Sequence, residues 1–481
     1  MKLNDIIKGI DGELVGSADV EIADIQFDSR RVGKGTLFVA QRGTKADGHS
    51  FIASSVGKGA VAVLCEEVPE EAPKNVTYLK VNDSSEALGL AAANYYGHPS
   101  EKLHLVGITG TNGKTTTVTL LHRMFRQLGH HAGLISTIVN KIDEEEVPTG
   151  HTTPDALELN ALLQRMVEAG CDYAFMEVSS HAVVQHRISG LHFAGGIFSN
   201  ITHDHLDFHK TMAAYIAAKQ GFFNSLPKGA WALTNLDDKN GRIMVQNTRA
   251  EVHTYALQRM ADFHCRVLED SFEGMHLELD GAEVWCRLVG RFNAYNLTAI
   301  YAAAVLCGVA KADALRVLSG LHPAPGRFQY VSGKGITGIV DYAHTPDALQ
   351  NVIETISAIR RQNQQLITVV GCGGDRDRTK RPEMAQIAAQ GSDKVVLTSD
   401  NPRTEKPEDI LDDMEKGLNP NQLSRVVRIT DRRQAIRTAV MMAREGDIIL
   451  VAGKGHETYQ EVNGVRSHFD DVEELNEHLN G

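Results

Sequence analysis

The sequence predicts an α/β protein of three domains, and three observations carry that reading. The chain has 481 residues, and at about 150 residues per domain that length favours roughly three. From residue 103 onward, apolar strand-like runs alternate with amphipathic helices, the signature of βαβ units and a parallel sheet. Six polar or glycine-rich motifs each follow directly on a predicted strand, and open α/β sheets bind ligands beyond the carboxyl ends of their strands.

Residues 1 to about 100 read as short strands at 22–27, 36–39 and 60–64 with glycine punctuation,. A helix at 84–96 stops at Gly97-His98-Pro99, which sets the first boundary and makes 1–100 one domain. The next predicted strand is 103–109 and the next helix 115–128, with Leu121, Phe125 and Leu128 on one face and Gly129 at its end,. Further strand runs end at Glu177 and cover 195–201, and a helix carries Lys219. A second boundary falls at Pro323-Ala324-Pro325-Gly326, dividing 101–326 from 327–481. The last segment holds buried-strand runs at 338–342, 367–371, 394–399 and 448–453. No fixed-period repeat interrupts this order, which speaks against solenoids and propellers.

Composition narrows the function classes. Hydrophobic residues are 42% and charged residues 23%, a core-forming profile rather than a disordered or fibrous one. Lys plus Arg number 49 against 61 Asp plus Glu, for a formal charge of −12. An acidic chain without a basic run is a poor nucleic-acid or anionic-lipid binder. No apolar stretch reaches membrane-spanning length, and Asp5, Asp11 and Glu13 speak against a signal peptide,. The six cysteines are scattered without a C-x-x-C pair, so reduced thiols in a cytoplasm are expected. The expected partners are small molecules, with no nucleic acid and no membrane insertion, and the expected state is a monomer.

Gly110-Thr111-Asn112-Gly113-Lys114-Thr115 lies between a strand and a helix. Glycines let backbone N–H groups approach phosphate oxygens, Lys114 reaches β/γ-oxygens, and Thr115 can ligate Mg²⁺. Ile108 stands where the longer G-x-x-x-x-G-K-[ST] pattern has its first glycine, so the form present is G-x-x-G-K-T. Glu177 closes an apolar run, and a carboxylate at a strand end beside such a loop suits magnesium. His203-Asp204-His205-Leu206-Asp207-Phe208-His209 nearly reproduces a dinuclear zinc pattern, but Phe208 takes the final histidine's place. His205 is read as a partner of an ATP-bound metal, with surface histidines as the plain alternative. Lys219 sits in a helix of little other charge, and by itself reads as a snorkelling surface lysine.

Taken together, Gly-Thr-Asn-Gly-Lys-Thr-Thr at 110–116, Met-Glu-Val-Ser-Ser-His at 176–181, Val-Gln-His-Arg at 184–187, Asp-His-Leu-Asp at 204–207, Ala-Ala-Lys at 217–219, Asp-Tyr-Ala-His-Thr-Pro at 341–346, Gly-Asp-Arg-Asp at 374–377, Asp-Asn-Pro-Arg at 400–403 and Gly-Lys-Gly-His-Glu at 453–457 resemble the Mur ligases along essentially the whole chain. The resemblance implies an N-terminal nucleotide-sugar domain, a central P-loop ATPase domain and a C-terminal Rossmann-like domain for the amino acid. It implies a uridine-nucleotide pocket at Phe27, Ser29, Thr44, Lys45 and Ala46. His151, Thr152, Thr153, Ser179, Gln185 and Arg187 then hold the muramoyl dipeptide, with His151 where the family has Asn. It gives Gly110, Thr111, Asn112, Gly113, Lys114, Thr115, Thr116, Asn296, Arg327 and Asp341 to ATP. Arg376, Asp400, Asn401, Pro402, Arg403, Gly453 and Glu457 are expected to form a diaminopimelate pocket. Lys219 matches a lysine that CO₂ converts to a carbamate. Such a carbamate would join Thr115, Glu177 and His205 around two Mg²⁺ ions, with Lys114, Lys219, His205 and Glu177 as the catalytic set.

The implied reaction is ATP-driven amide formation through an acyl phosphate, with meso-diaminopimelate as the amine and UDP-N-acetylmuramoyl-L-alanyl-D-glutamate as the acid. Addition of L-lysine is the alternative within the family, and a folate polyglutamate ligase a more distant one. Outside it, a P-loop motor has no use for the three C-terminal motifs. A zinc hydrolase would need His203, His205 and His209 to converge.

Overall fold

The computed structural model describes residues 1–43 and 46–481. Its architecture is α/β throughout, built on three sheets that follow one another along the chain, each largely parallel at its centre. The first sheet has five strands in the order Glu13–Val15, Thr77–Lys80, Ala60–Cys65, Thr36–Val39, Asp24–Gln26. Only the Glu13–Val15 edge runs antiparallel. Helix Ser84–Tyr95 covers it, and Asp83 caps that helix by accepting from the Ser85 and Glu86 backbone N–H groups, as an N-cap acid should.

The second sheet has eleven strands. At its centre lie Trp231–Asn235, Gly195–Phe198, His104–Thr109, Tyr173–Glu177 and Ala132–Ile135, all parallel. These strands are apolar and buried along nearly their whole length, because helices lie on both faces. One face packs against helices Lys114–Gln127 and Arg291–Leu306 through Leu121, Phe125, Leu297 and Ile300. The other packs against Ala156–Glu168 and Met212–Asn224 through Leu159, Leu163, Phe222 and Phe223. Antiparallel strands Gly274–Leu279 and Ala282–Cys286 extend one edge, and Asn140–Ile142 with Glu145–Val147 the other. The sequence reading runs the strand at 195 on to residue 201, but it stops at Phe198. Ser199 and Asn200 turn away to bond the phosphate-loop segment, with Ser199 Oγ donating to Asn112 O at 2.7 Å and Asn200 Oδ1 accepting from Asn112 N at 2.9 Å.

The third sheet has six strands in the order Gln329–Gly333, Ile336–Asp341, Ile448–Ala452, Leu366–Cys372, Lys394–Ser399, Val426–Arg428. All but the first pair are parallel. Arg432 fixes the carboxyl ends of two of these strands. It is fully buried, donates to Ser399 O at 3.1 Å and Ala452 O at 3.0 Å, and pairs with buried Asp471 through two 2.7 Å bonds. A planar guanidinium can serve two carbonyls and a carboxylate at once. The residues after those carbonyls begin two of the motifs, at Asp400 and Gly453. A hairpin of Tyr459–Val462 and Val465–His468 stands beside them. Among the described residues no helix is long and apolar enough to cross a membrane.

Candidate active site

Strands of the second and third sheets end toward a single cavity of about 930 Å³, whose wall carries residues of both. Gly110–Thr116 form part of it. The loop runs from strand His104–Thr109 into helix Lys114–Gln127, so the helix N-terminus faces the cavity and favours an anion there. Gly113 has φ +86°, and a Cβ at this position would collide with Asn296 Oδ1. Only glycine meets both demands. Lys114 Nζ lies back on the loop, donating to Gly110 O at 2.9 Å and Thr111 O at 2.7 Å. Burial lowers the pKa of its ammonium, and Glu177 and Asp204 partly offset this.

Glu177 is buried at the end of its strand. Its Oε1 accepts from Thr115 Oγ1 and from Thr137 N, both at 2.8 Å. Its Oε2 is buried without a hydrogen-bond partner among the described residues, which is costly for a carboxylate oxygen unless a cation completes it. Thr115 Oγ1 also receives Arg327 at 3.1 Å. Lys219 is 1% exposed, so it is not the surface lysine its helix alone implies. Its Nζ donates to Gly110 O at 2.8 Å and lies 4.6 Å from the Tyr215 ring centre. Burial, reinforced by the charge of Lys114, holds this ammonium well below the ordinary lysine range. His205 begins helix Leu206–His209 in the left-handed region at φ +54°, with Nε2 3.3 Å from Asp204 Oδ2. Its ring lies 4.9 Å from that of His181. Burial lowers the pKa of both imidazoles to about 4. Thr115, Glu177, Lys219 and His205 all line the cavity, and a carbamate on Lys219 would make them an oxygen-rich set of the kind Mg²⁺ takes. Among the described residues no three His, Cys, Asp or Glu side chains converge as a ready metal site.

Two bonds tie the phosphate loop to the third unit: Arg327 to Thr115, and Asn112 Nδ2 to Asp347 Oδ2 at 2.6 Å. The Arg327 guanidinium lies 4.5 Å from the Tyr342 ring centre. Asp341 accepts from Phe328 N at 2.7 Å, and burial raises its pKa to about 6. On the far wall, Asn401 Nδ2 donates to Glu457 Oε2 at 2.8 Å. Gly453, at φ +117°, carries no Cβ because one would sit 2.7 Å from Asp400 Oδ2. Arg403 Nη1 donates to Gly374 O at 2.8 Å, and its own backbone N–H and C=O bond Glu461 O and Asn463 N of the hairpin. Burial first, then Asp400, raises the pKa of the Glu457 carboxyl.

Of the residues singled out from the sequence, the whole loop 110–116, Asn296, Arg327 and Asp341 reach this cavity. So do His151, Thr152, Thr153, Ser179 and Arg187, and Arg376, Asp400, Asn401, Arg403, Gly453 and Glu457. Arg187 braces the segment at Thr153 by donating to Thr153 O at 2.6 Å, and it donates to Gln185 Oε1 at 2.7 Å. Gln185 therefore orients Arg187 from outside the wall, and Pro402 is buried behind Arg403. Phe27, Ser29 and Ala46 do not line the cavity. Phe27 packs on the core of the first sheet, Ser29 O accepts from Lys58 at 2.7 Å, and Ala46 is exposed. Thr44 and Lys45 lie outside the described residues. Sequence reading missed Tyr459, Glu461 and Arg466 of the hairpin, and Lys380, all on the cavity wall. The one available signal was the short alternation around Asn463-Gly464, a hairpin turn pair.

Residues 21–96 match the model of the Mur ligase family catalytic domain, 108–304 the Mur ligase middle domain, and 326–455 the Mur ligase glutamate ligase domain. The chain belongs to the Mur ligases, ATP-dependent enzymes that form amide bonds. It is 56% identical over 477 residues to the UDP-N-acetylmuramoyl-L-alanyl-D-glutamate–2,6-diaminopimelate ligase of Phocaeicola vulgatus, covering 99% of both chains. To the ligase of the same name from Cytophaga hutchinsonii it is 58% identical over 458 residues, covering 95% of this chain and 94% of that one. A solved structure of a ligase of that name superposes with a TM-score of 0.70 at 34% identity, covering 100% and 98% of the two chains. The MurF ligase of Thermotoga maritima in complex with ADP shares the fold at 18% identity, with a TM-score of 0.63 over 95% and 96% of the chains.

Two cavity histidines generate a pH prediction. Burial lowers the pKa of His344 to about 4 and of His456 to about 3. A histidine buried neutral costs folding free energy only where the unfolded chain binds the proton, so this contribution is absent above about pH 6.5 and grows as pH falls toward 4. Ring-nitrogen NMR should show both residues neutral down to about pH 5.5. A titration midpoint between about 6 and 7 for either contradicts the burial argument.

Proposed function

We propose that this chain adds meso-diaminopimelate to UDP-N-acetylmuramoyl-L-alanyl-D-glutamate, acting in the cytoplasm as a monomer on precursors of peptidoglycan. The observation that carries the reading is the far wall of the cavity, where the Arg403 guanidinium and the Glu457 carboxylate stand on adjoining loops. The distal end of diaminopimelate bears an ammonium and a carboxylate, whereas lysine ends in an ammonium alone. Arginine can take a carboxylate through two parallel hydrogen bonds. The relatives of that name, matched over nearly the full chain, support the same choice.

On this reading residues 1–100 hold the uridine nucleotide, 101–326 hold ATP, and 327–481 present the amino acid. The free γ-carboxylate of D-glutamate is a poor acyl donor because oxide would have to leave. One of its oxygens attacks the γ-phosphorus, the bond to ADP breaks, and an acyl phosphate results. The amine nitrogen then attacks the carbonyl carbon, phosphate leaves, and the amine loses a proton. Lys114 swings from Gly110 O and Thr111 O to the β/γ-oxygens, and the loop N–H groups cradle them. Arg187 and Thr153 orient the dipeptide, Asn296 and Asp341 hold the nucleoside side, and Arg327 steadies Thr115. Thr115, Glu177 through its unpartnered Oε2, His205 and a carbamylated Lys219 would hold two Mg²⁺ ions, which when bound neutralise charge on the transferring phosphoryl group. Lys219 is suited to carbamylation because CO₂ adds to a neutral amine, and burial, with the charge of Lys114 beside it, disfavours the ammonium form of this one,.

Phosphate release with ATP, the UDP-muramoyl dipeptide and a panel of amino acids tests the assignment. Meso-diaminopimelate should be used and L-lysine scarcely. Arg403→Ala should cost roughly 2–4 kcal/mol in binding, raising the KM for diaminopimelate by about two orders of magnitude with little change for ATP. Equal use of L-lysine by the wild type contradicts the role given to Arg403.

The carbamate has its own test. Under ¹³CO₂ the wild type should show a carbamate resonance that Lys219→Ala lacks, and short carboxylic acids should restore part of that variant's activity. A fully active enzyme without the resonance overturns it.

A further inference from the structure

Lys454 lies in the loop after strand Ile448–Ala452 and is 0% exposed. It does not line the cavity. Its Nζ lies 3.0 Å from Glu457 Oε2 and 3.2 Å from Asn401 Oδ1, and 5.4 Å from the Tyr459 ring centre. Asn401 closes the triangle. Its Nδ2 donates to the same Glu457 oxygen at 2.8 Å, and its Oδ1 also accepts from Glu461 N at 3.0 Å. The three residues therefore join the loop at Asp400, the loop at Gly453 and the hairpin. Both bonds to Glu457 land on Oε2, so Oε1 is the oxygen left to the cavity that Glu457 lines.

A lysine sealed from water needs an anion in contact, and a buried carboxylate needs a cation or several donors. Each supplies the other here, and neither arrangement uses the cavity-facing oxygen. We propose that Lys454 is a positioning residue: by holding Glu457 Oε2 it keeps that carboxylate ionised, with Oε1 presented to an ammonium group of the incoming diamino acid. The proposal rests on the function proposed above for the wall that bears Glu457.

Glu457 is faced by Lys454 and Asp400, by the buried Arg432 behind them, and by the phenols of Tyr342 and Tyr459. Burial and Asp400 already raise the pKa of its carboxyl, and Lys454 is the largest opposing influence. Without Lys454 the carboxyl protonates at higher pH. A protonated acid attracts an ammonium poorly, so the defect should be worst at low pH and shrink as pH rises.

Lys454→Met removes the charge and keeps much of the length; Lys454→Gln is a second neutral variant. Either should raise the KM for meso-diaminopimelate at least about tenfold near pH 7 and by less than about threefold near pH 9, with the KM for ATP unchanged. In a Glu457→Gln background the same change should add little, since the group it serves is gone. Carbon-13 titration of the Glu457 carboxyl in the full-length chain needs no substrate, and Lys454→Met should move its midpoint up by at least about one unit. An unmoved midpoint, or a KM defect of the same size at both pH values, overturns the proposal. A moved midpoint in a protein that does not use diaminopimelate leaves the Lys454–Glu457 linkage standing and counts against the proposed substrate instead.

Discussion

Thr115 is held between charges of opposite sign that come from different parts of the chain. Its hydroxyl donates to Glu177, at the end of a central strand, and accepts from Arg327, which enters from the third unit. This junction joins the two largely parallel sheets that supply the cavity, alongside the packing of Val289 and Phe292 on the third sheet's core. The loop at 110–113 lies against Ser199 and Asn200 on one side and Asn296 on another, so it has little freedom to move away. Asn112 adds a second strut to Asp347. On the proposed reading, a nucleotide in the loop and an amino acid on the far wall would be held against the same hydrogen-bonded frame, which is what bringing reactants into attack distance requires.

The same frame explains why so many charged side chains are buried around the strand ends. Lys219, Glu177, Asp341, Lys454 and Arg432 are each almost inaccessible to water, and each has an unusual set of partners. Arg432 and Lys454 are satisfied within the protein, by Asp471 and by Glu457. Among the described residues Glu177 keeps one oxygen unpaired, and Lys219 has a carbonyl as its bonded partner. The satisfied pairs shape loops. Glu177 and Lys219 both face the cavity, where a bound cation or a carbamate would complete them,.

Much of this was legible in the sequence, for a physical reason. The phosphate loop is local: a strand, four loop residues and a helix contain all its parts, so Gly110–Thr115 could be read without knowing the fold. Parallel strands buried on both faces give unbroken apolar runs, so those at 103–109, 394–399 and 448–453 were recovered to within a residue or two. Lys219 was different. Its helix has apolar residues all round and gives no face on which to place a lysine, so burial followed only from resemblance. Lys454 and Asn401 are 53 residues apart, and nothing local marks them as a pair. The hairpin Tyr459–His468 is short and largely exposed, so its alternation carries almost no hydrophobic signal. Phe27 and Ser29 were singled out with the catalytic residues, yet they lie on the first sheet's own core and surface, because the substrate they are expected to hold is long.

On the proposed reading the cavity couples ATP cleavage to amide formation by way of a phosphorylated carboxylate. Isotope transfer tests this without any variant. With ¹⁸O in the γ-carboxylate of the UDP-muramoyl dipeptide, one labelled oxygen should appear in the phosphate released for each amide formed. Release of unlabelled phosphate alongside full amide formation would contradict the account, because the carboxylate oxygen would then never have been bonded to phosphorus.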